Sequence, residues 1–270
     1  MTYFGFLLRF VFVPLIILAV VALIDSRRGK TVPPRLRHWP IWGAILLHVV
    51  LAVVYTTPWD NYLVASGVWV YDPQLVTGIV LGWVPIEEYT FFVVQTILAG
   101  LWLLFLMRHV GLPRHMAPLR PAWRYAPLLV LGVVWLASVI ILAVGWASGT
   151  YLALILAWAL PPIALQVGFG GDILRRYGRL TLLAIASLTL YLGFTDSLAI
   201  GGGTWTISPA TSLPIFIGSV LPVEELVFFL ATNTLITFGT LLVMSQEGGE
   251  RLREIRARFA PDKSASQVNE

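Results

Sequence analysis

The chain has 270 residues, 58% of them hydrophobic and 12% charged, with a formal net charge of +4 and no cysteine. Soluble domains carry about 25% charged residues, so this composition sets a water-soluble globule aside, and the lack of cysteine excludes disulfides and thiolate-ligated metals. The positive charge sits between apolar runs, not on a continuous basic face, which points away from nucleic acid as a partner.

Seven apolar stretches follow in chain order: 3–24, 39–56, 75–107, 125–147, 151–170, 180–195 and 212–244. Most are long enough to cross a hydrocarbon core about 30 Å thick. The first contains Arg9 and has no basic head before it, so it reads as a span, not a cleavable leader. Basic residues then follow the odd-numbered spans: Arg27, Arg28, Lys30, Arg35 and Arg37; Arg108, Arg114, Arg120 and Arg124; Arg175, Arg176 and Arg179; Arg251, Arg253, Arg256, Arg258 and Lys263. The positive-inside rule makes that side cytoplasmic and predicts an N-terminus outside and a C-terminus inside. The outer loops then hold Asp60 and Trp69 on one side and Asp196 and Trp205 on the other. After span seven the sequence predicts a short charged helix, 250–259, and a disordered end.

Two segments resemble each other. Asp60, Trp69, Pro85-Ile86-Glu87-Glu88 and Phe91-Phe92 match Asp196, Trp205, Pro222-Val223-Glu224-Glu225 and Phe228-Phe229. Asp to Trp is nine residues in both, and Trp to Pro is 16 in one and 17 in the other. Upstream, Pro14, Asp25, Arg27 and Arg28 match Pro161, Asp172, Arg175 and Arg176 more weakly. The expected architecture is an all-α, seven-helix membrane bundle of two parallel three-helix repeats. The first repeat covers 1–110, a linker span 111–150, the second repeat 151–246 and a cytoplasmic tail 247–270. Parallel repeats imply a pseudo-twofold axis along the membrane normal, with a shared site between the halves.

The two Pro-x-Glu-Glu pairs carry the chemistry. Each lies about 12 residues into its apolar run, which predicts a position near mid-membrane at about 1.5 Å per residue. A charge there costs about 3 kcal/mol, so four such residues at matched depth call for a role. Adjacent helix positions point about 100° apart, so one Glu can face a cavity while its neighbour reaches another helix. A buried acid can protonate a weakly basic substrate and a carboxylate can take a proton back. Glu87, Glu88, Glu224 and Glu225 are therefore the candidate catalytic residues. Pro85 and Pro222 are expected to bend their helices and mark a lined cavity. Tyr89, Phe91, Phe92, Phe228 and Phe229 offer π faces that stabilise cations. Asp60, Asp196, Trp69 and Trp205 complete the candidate substrate-binding set, against the plainer readings of loop hydrogen bonding for the acids and interfacial anchoring for the indoles. His48, alone on an apolar helix, reads as a packed histidine.

These residues identify a resemblance. The paired Pro-x-Glu-Glu motifs with their Phe pairs, and Ala164-Leu165-Gln166 leading to Gly170-Gly171-Asp172, resemble the membrane-integral lycopene cyclases in their fused two-domain form, over nearly the whole chain. The resemblance implies a redox-neutral isomerase: a lycopene β-cyclase closing ψ ends into β-ionone rings in the cell membrane, with lycopene as substrate and membrane lipids and other carotenoid enzymes as neighbours. No metal is expected. With no dinucleotide fingerprint, no flavin or other cofactor is expected either. Two alternatives stay open: a related carotenoid enzyme (a hydratase or ε-cyclase), and a proton-coupled transporter using the Glu pairs as a relay. A rhodopsin needs a lysine within a span, and Lys30 and Lys263 lie outside.

Overall fold

The computed structural model describes residues 1–112, 116 and 118–259. Arg114, Lys263 and the predicted disordered end, 260–270, lie outside the described residues. Seven helices are long and apolar enough to cross a membrane, and the chain is a multi-pass membrane protein. They are α1 (Tyr3–Arg27), α2 (Ile41–Ala65), α3 (Ile86–His109), α4 (Ala122–Val144), α5 (Thr150–Arg176), α6 (Gly178–Gly201) and α7 (Val223–Met244). An eighth helix, α8 (Gln246–Phe259), is charged on one side and follows α7 after one residue.

Burial ranks the helices. The apolar window of α3 is 72% buried and that of α7 56%, against 11% for α1 and 6% for α4. The two motif-bearing helices are thus the centre. α1 and α2 flank α3; α5 and α6 flank α7; α2 also reaches α7, and α6 reaches α3. α4 packs chiefly on α5 at the periphery. Between the central helices, Gln95 Nε2 donates to Asn233 Oδ1 (3.1 Å), and Asn233 Nδ2 donates to Thr189 (3.1 Å). Such a chain gives polar groups in an apolar interior the partners that lipid cannot supply.

Short strands close one end. β1 (Trp69–Tyr71) pairs antiparallel with β4 (Trp205–Ile207), with Val70 opposite Thr206. Both residues stand ten positions after the matched aspartates, Asp60 and Asp196. An antiparallel pair centred on corresponding residues is what a twofold axis through that point generates. Two hairpins follow, β2 (Val80–Leu81) with β3 (Val84–Pro85), and β5 (Phe216–Ile217) with β6 (Leu221–Pro222). The turn between β2 and β3 holds two residues and that between β5 and β6 holds three, including Ser219 at φ 64°. The one-residue difference between the Trp-to-Pro spacings is therefore absorbed in this turn, and the motif keeps its place in both halves.

Three sequence expectations change. Spans three and seven begin at Ile86 and Val223, not at 75 and 212, because the apolar hairpins run without a polar break into the helices. The Glu pairs accordingly sit in the first helical turn, not midway along a span. Pro85 and Pro222 are the residues before the first turn, with extended backbone, and bend nothing. Asp60 and Asp196 lie within α2 and α6, which extend to Ala65 and Gly201, and not in loops. At the opposite end the basic segments after α1, α3, α5 and α7 come together. Lys30 and His109 flank Asp25 (3.5 Å each), and Arg35 and Arg176 meet Glu247 (3.6 and 2.8 Å). Arg9 is exposed and approaches the Met1 sulfur.

Candidate active site

All four motif glutamates are buried, at 0%, 3%, 0% and 2% exposure for Glu87, Glu88, Glu224 and Glu225. The first turn of a helix is where negative charge is best tolerated, because free N–H groups and the helix dipole face it. The loops and hairpins then fold over that turn and remove it from water.

The two members of each pair do different work. Glu87 Oε1 accepts the Thr77 backbone N–H, and Glu224 Oε1 accepts that of Leu213, both at 2.6 Å. These are equivalent loop positions, so the first Glu of each pair ties down the segment covering its own helix. Glu88 and Glu225 instead turn into one small cavity of about 20 Å³ between the halves. That volume is room for about one water. Tyr3 and Tyr71 both donate to Glu88 Oε2, the latter at 3.0 Å. Tyr151 donates to Glu225 Oε1 at 2.6 Å. Burial first, then the charge of Glu88, raises the Tyr71 phenol well above its ordinary range, so it stays a donor at neutral pH.

Trp69, Asp196, Trp205, Phe91, Phe228 and Phe229 line the same chamber. Asp196 Oδ1 accepts the Trp205 indole N–H at 3.0 Å, while its Oδ2 has no hydrogen-bond partner among the described residues. The nine-residue Asp-to-Trp spacing thus becomes a contact in this half. In the other half, among the described residues, neither Asp60 oxygen has a hydrogen-bond partner, and the Trp69 indole faces Tyr151 and Glu225, not Asp60. Trp69 meets the Tyr151 ring edge-on at 6.0 Å. Phe91 and Phe228 also wall a second cavity of about 210 Å³ between α2, α3, α5 and α7, together with Phe92. Trp59 stacks on Trp158 (4.6 Å) and on Phe228 (5.8 Å), making an aromatic wall beside it.

The candidate set therefore divides. Glu88, Glu225, Trp69, Trp205, Asp196, Phe91, Phe228 and Phe229 share the chamber, and Phe92 lines the adjoining cavity. Glu87, Glu224 and Asp60 are buried beside it without lining it. Tyr89 supports the first hairpin, its hydroxyl donating to the Leu81 carbonyl at 2.9 Å. The sequence reading did not select Tyr3, Tyr71 and Tyr151. Tyr3 and Tyr151 were discoverable, since each opens the first helix of its half, and each backbone N–H meets an equivalent loop carbonyl, Leu75 or Thr211. Among the described residues no three His, Asp or Glu side chains converge as metal ligands.

The fold and this chamber define a multi-pass membrane protein with a candidate acid–base site: two carboxylates, held by phenols and walled by aromatic rings, at the head of an apolar cavity. The comparisons give that class a family. A lycopene beta-cyclase of Halobacterium salinarum is 34% identical over 249 residues, 89% of this chain and 95% of its own length. Bifunctional lycopene cyclase/phytoene synthases of Podospora anserina and Aspergillus oryzae are 39% and 34% identical over 71% and 76% of this chain. The chain spans about a third of the length of those fungal relatives, 33% and 36%. No family model and no solved structure matches it. This chain belongs to the lycopene cyclase family.

Proposed function

We propose that this protein cyclises the ψ ends of lycopene to β rings inside the membrane, with Glu88 and Glu225 as the proton-transferring pair. The observation that carries the reading is that these two carboxylates, one from each half, turn into a single aromatic chamber at the end of an apolar cavity. A relay for proton transport would need no aromatic enclosure and no adjoining cavity for a hydrocarbon.

The chemistry follows from the donors. The acid adds a proton to the terminal double bond of the polyene. The cation so formed is attacked by the π electrons of a double bond further along the same chain, which makes the ring bond and moves the charge into the ring. The base removes a ring proton and its bonding electrons become the ring alkene, so nothing is oxidised or reduced. The faces of Phe91, Phe228 and Phe229 stabilise the passing cation, and the enclosed chamber, with room for about one water, limits the water that could capture it before the base acts. Glu88 accepts two phenol hydrogen bonds on one oxygen, which suits an ionised, acceptor-only carboxylate. We assign it as the base and Glu225 as the acid. One turnover leaves the proton on Glu88, and its return to Glu225 within the chamber resets the site.

Pigment analysis in a lycopene-accumulating host tests this. Glu225→Gln is expected to leave lycopene unchanged. Glu88→Gln is expected to form the cation but lose it to water, giving a product heavier by one water. Unaltered β-carotene from both variants would refute the roles. The remaining parts of the reading are proposals too: two parallel repeats joined by α4, supported by the Val70–Thr206 pairing; residence in the cell membrane with the basic end cytoplasmic, supported by the positive-inside rule; and membrane lipids and other carotenoid enzymes as neighbours.

A further inference from the structure

We infer that a second subsite, at the end of the channel remote from the carboxylates, receives the non-reacting end of the polyene and decides whether a second ring is made. This deepens the proposed function and rests on it.

The cavities form one series. Phe91 and Phe228 border both the carboxylate chamber and the 210 Å³ cavity. His48, Leu51 and Gln166 border both that cavity and a third of about 640 Å³. This third space lies between α2, α5 and α7 and is walled at its far end by Gly248, Gly249 and Leu252 of α8 and by His38 and Trp39. The series therefore runs from the first turn of α7 to beyond its last. Met244 lies 19 residues after Glu225, about 28 Å at about 1.5 Å per residue. An extended forty-carbon polyene is about as long as the hydrocarbon core is thick, about 30 Å. With one end against Phe91 and Phe228, at the border of the carboxylate chamber, the other end reaches α8.

The series passes a waist at His48, where the 210 Å³ cavity meets the 640 Å³ space, and that larger space is open outward, with Trp39, Leu165 and Leu252 exposed. His48 is held there by its Nδ1 against the Ala44 carbonyl (2.7 Å), and its Nε2 lies only 2.0 Å from where a Cβ on residue 239 would stand. Gly239 is thus required for the waist. The far wall is also built. Arg251 of α8 grips Asp172 of α5 through two hydrogen bonds of 2.7 Å. A Cβ on Gly249 would strike the His38 ring at 2.2 Å, so α8 packs closely on the loop before α2.

The order of events follows from the shapes. Both carboxylates serve one chamber, so one end reacts per visit. In the first visit the far subsite holds a slender open end. For a second ring the product must leave, turn round and re-enter, and the far subsite must then hold the bulkier ring. Its greater volume fits that second occupant. The volume left beside α8, not the carboxylates, therefore sets the ratio of two-ring to one-ring product.

The test alters Leu252, which is on α8 and outside the catalytic machinery, in the full-length protein with lycopene as substrate. Leu252→Trp is expected to lower the two-ring to one-ring ratio by about tenfold or more while total lycopene consumption stays within about twofold, the scale on which pocket shape discriminates. Leu252→Ala is expected to raise the ratio. Continued first-ring formation shows that a variant is folded. If Leu252→Trp loses all activity, the alanine variant decides. An unchanged ratio in both variants, or loss of all cyclisation in both, overturns the subsite while leaving the chemistry standing. Wild type that forms no ring overturns the proposed function itself.

Discussion

The two halves of the chamber are built on the same plan and finished differently. In each half a motif glutamate holds a loop N–H at the same distance, 2.6 Å, and a tyrosine opening the flanking helix donates to the second glutamate. Corresponding tyrosines, Tyr55 and Tyr191, each reach across to a carbonyl of the other half's first helix, Trp158 at 2.8 Å and Phe10 at 2.9 Å. The differences fall on side chains in and around the chamber and its adjoining cavity. Glu88 has two phenols and Glu225 one. Asp196 holds its indole and Asp60 does not. Only the α2 side carries a histidine, since the position in α6 that corresponds to His48 is Ala184. The frame is matched in the two halves, whereas a proposed acid and base must differ, and Glu88 and Glu225 differ in their phenol donors.

That comparison can be broken most sharply at the chamber glutamates. Glu225→Gln removes the proposed acid and is expected to lower lycopene turnover by about 10²–10⁴, the usual contribution of general acid–base catalysis. Equal product patterns from Glu88→Gln and Glu225→Gln would show the halves to be interchangeable. A smaller effect separates the phenols. Tyr151→Phe leaves Glu225 with no phenol donor as it becomes an anion on giving up its proton, and hydrogen bonds to charged groups contribute about 1.5–3 kcal/mol, so turnover should fall by about tenfold or more. Tyr3→Phe leaves Tyr71 on Glu88 and should cost less; the ratio of the two initial rates measures the asymmetry. If Tyr3→Phe proves the more damaging, the assignment of two donors to one base is wrong.

The shared frame is sharpened by Glu87→Gln and Glu224→Gln. Each keeps an acceptor for its loop N–H but loses the charge, and each should lower thermal stability in detergent by a similar amount, about 1 kcal/mol. Unequal losses would show that the loops are held differently in the two halves. The smallest expected effect lies at the far end of the molecule. Burial would raise the Glu247 carboxyl, but hydrogen bonds from its own backbone N–H, Arg176 and Tyr177 outweigh this and hold it below its ordinary value. A carboxyl depressed in the folded state stabilises above its unfolded pKa, and that contribution is lost as pH falls through the folded value. Protection of α8 from proteolysis should therefore hold at neutral pH and weaken only in acid below the ordinary glutamate range. Protection that weakens instead as pH rises from neutral would contradict it.

Much of this was legible in the amino acids, and the reasons are physical. Apolar length sets the number of spans, because lipid tolerates no unsatisfied backbone. The repeat of Asp60, Trp69 and Glu87-Glu88 at Asp196, Trp205 and Glu224-Glu225 marked the residues around the chamber, because each is costly to bury without a role. Hydropathy could not see that residues 79–85 and 215–222 are hairpins, since an apolar strand beside an apolar helix reads as one run. The motif depth was misjudged for that reason, as was the role of the prolines.

What the sequence alone determined is a helical membrane protein with two matched acidic motifs, since charge, length and repetition are properties of the chain itself. Only the tertiary structure decided which glutamate of each pair faces the chamber and which holds a loop, and that Tyr3, Tyr71 and Tyr151 meet them. Adjacent residues on a helix differ by a rotation of about 100°, and what lies in each direction is decided by the neighbouring helices.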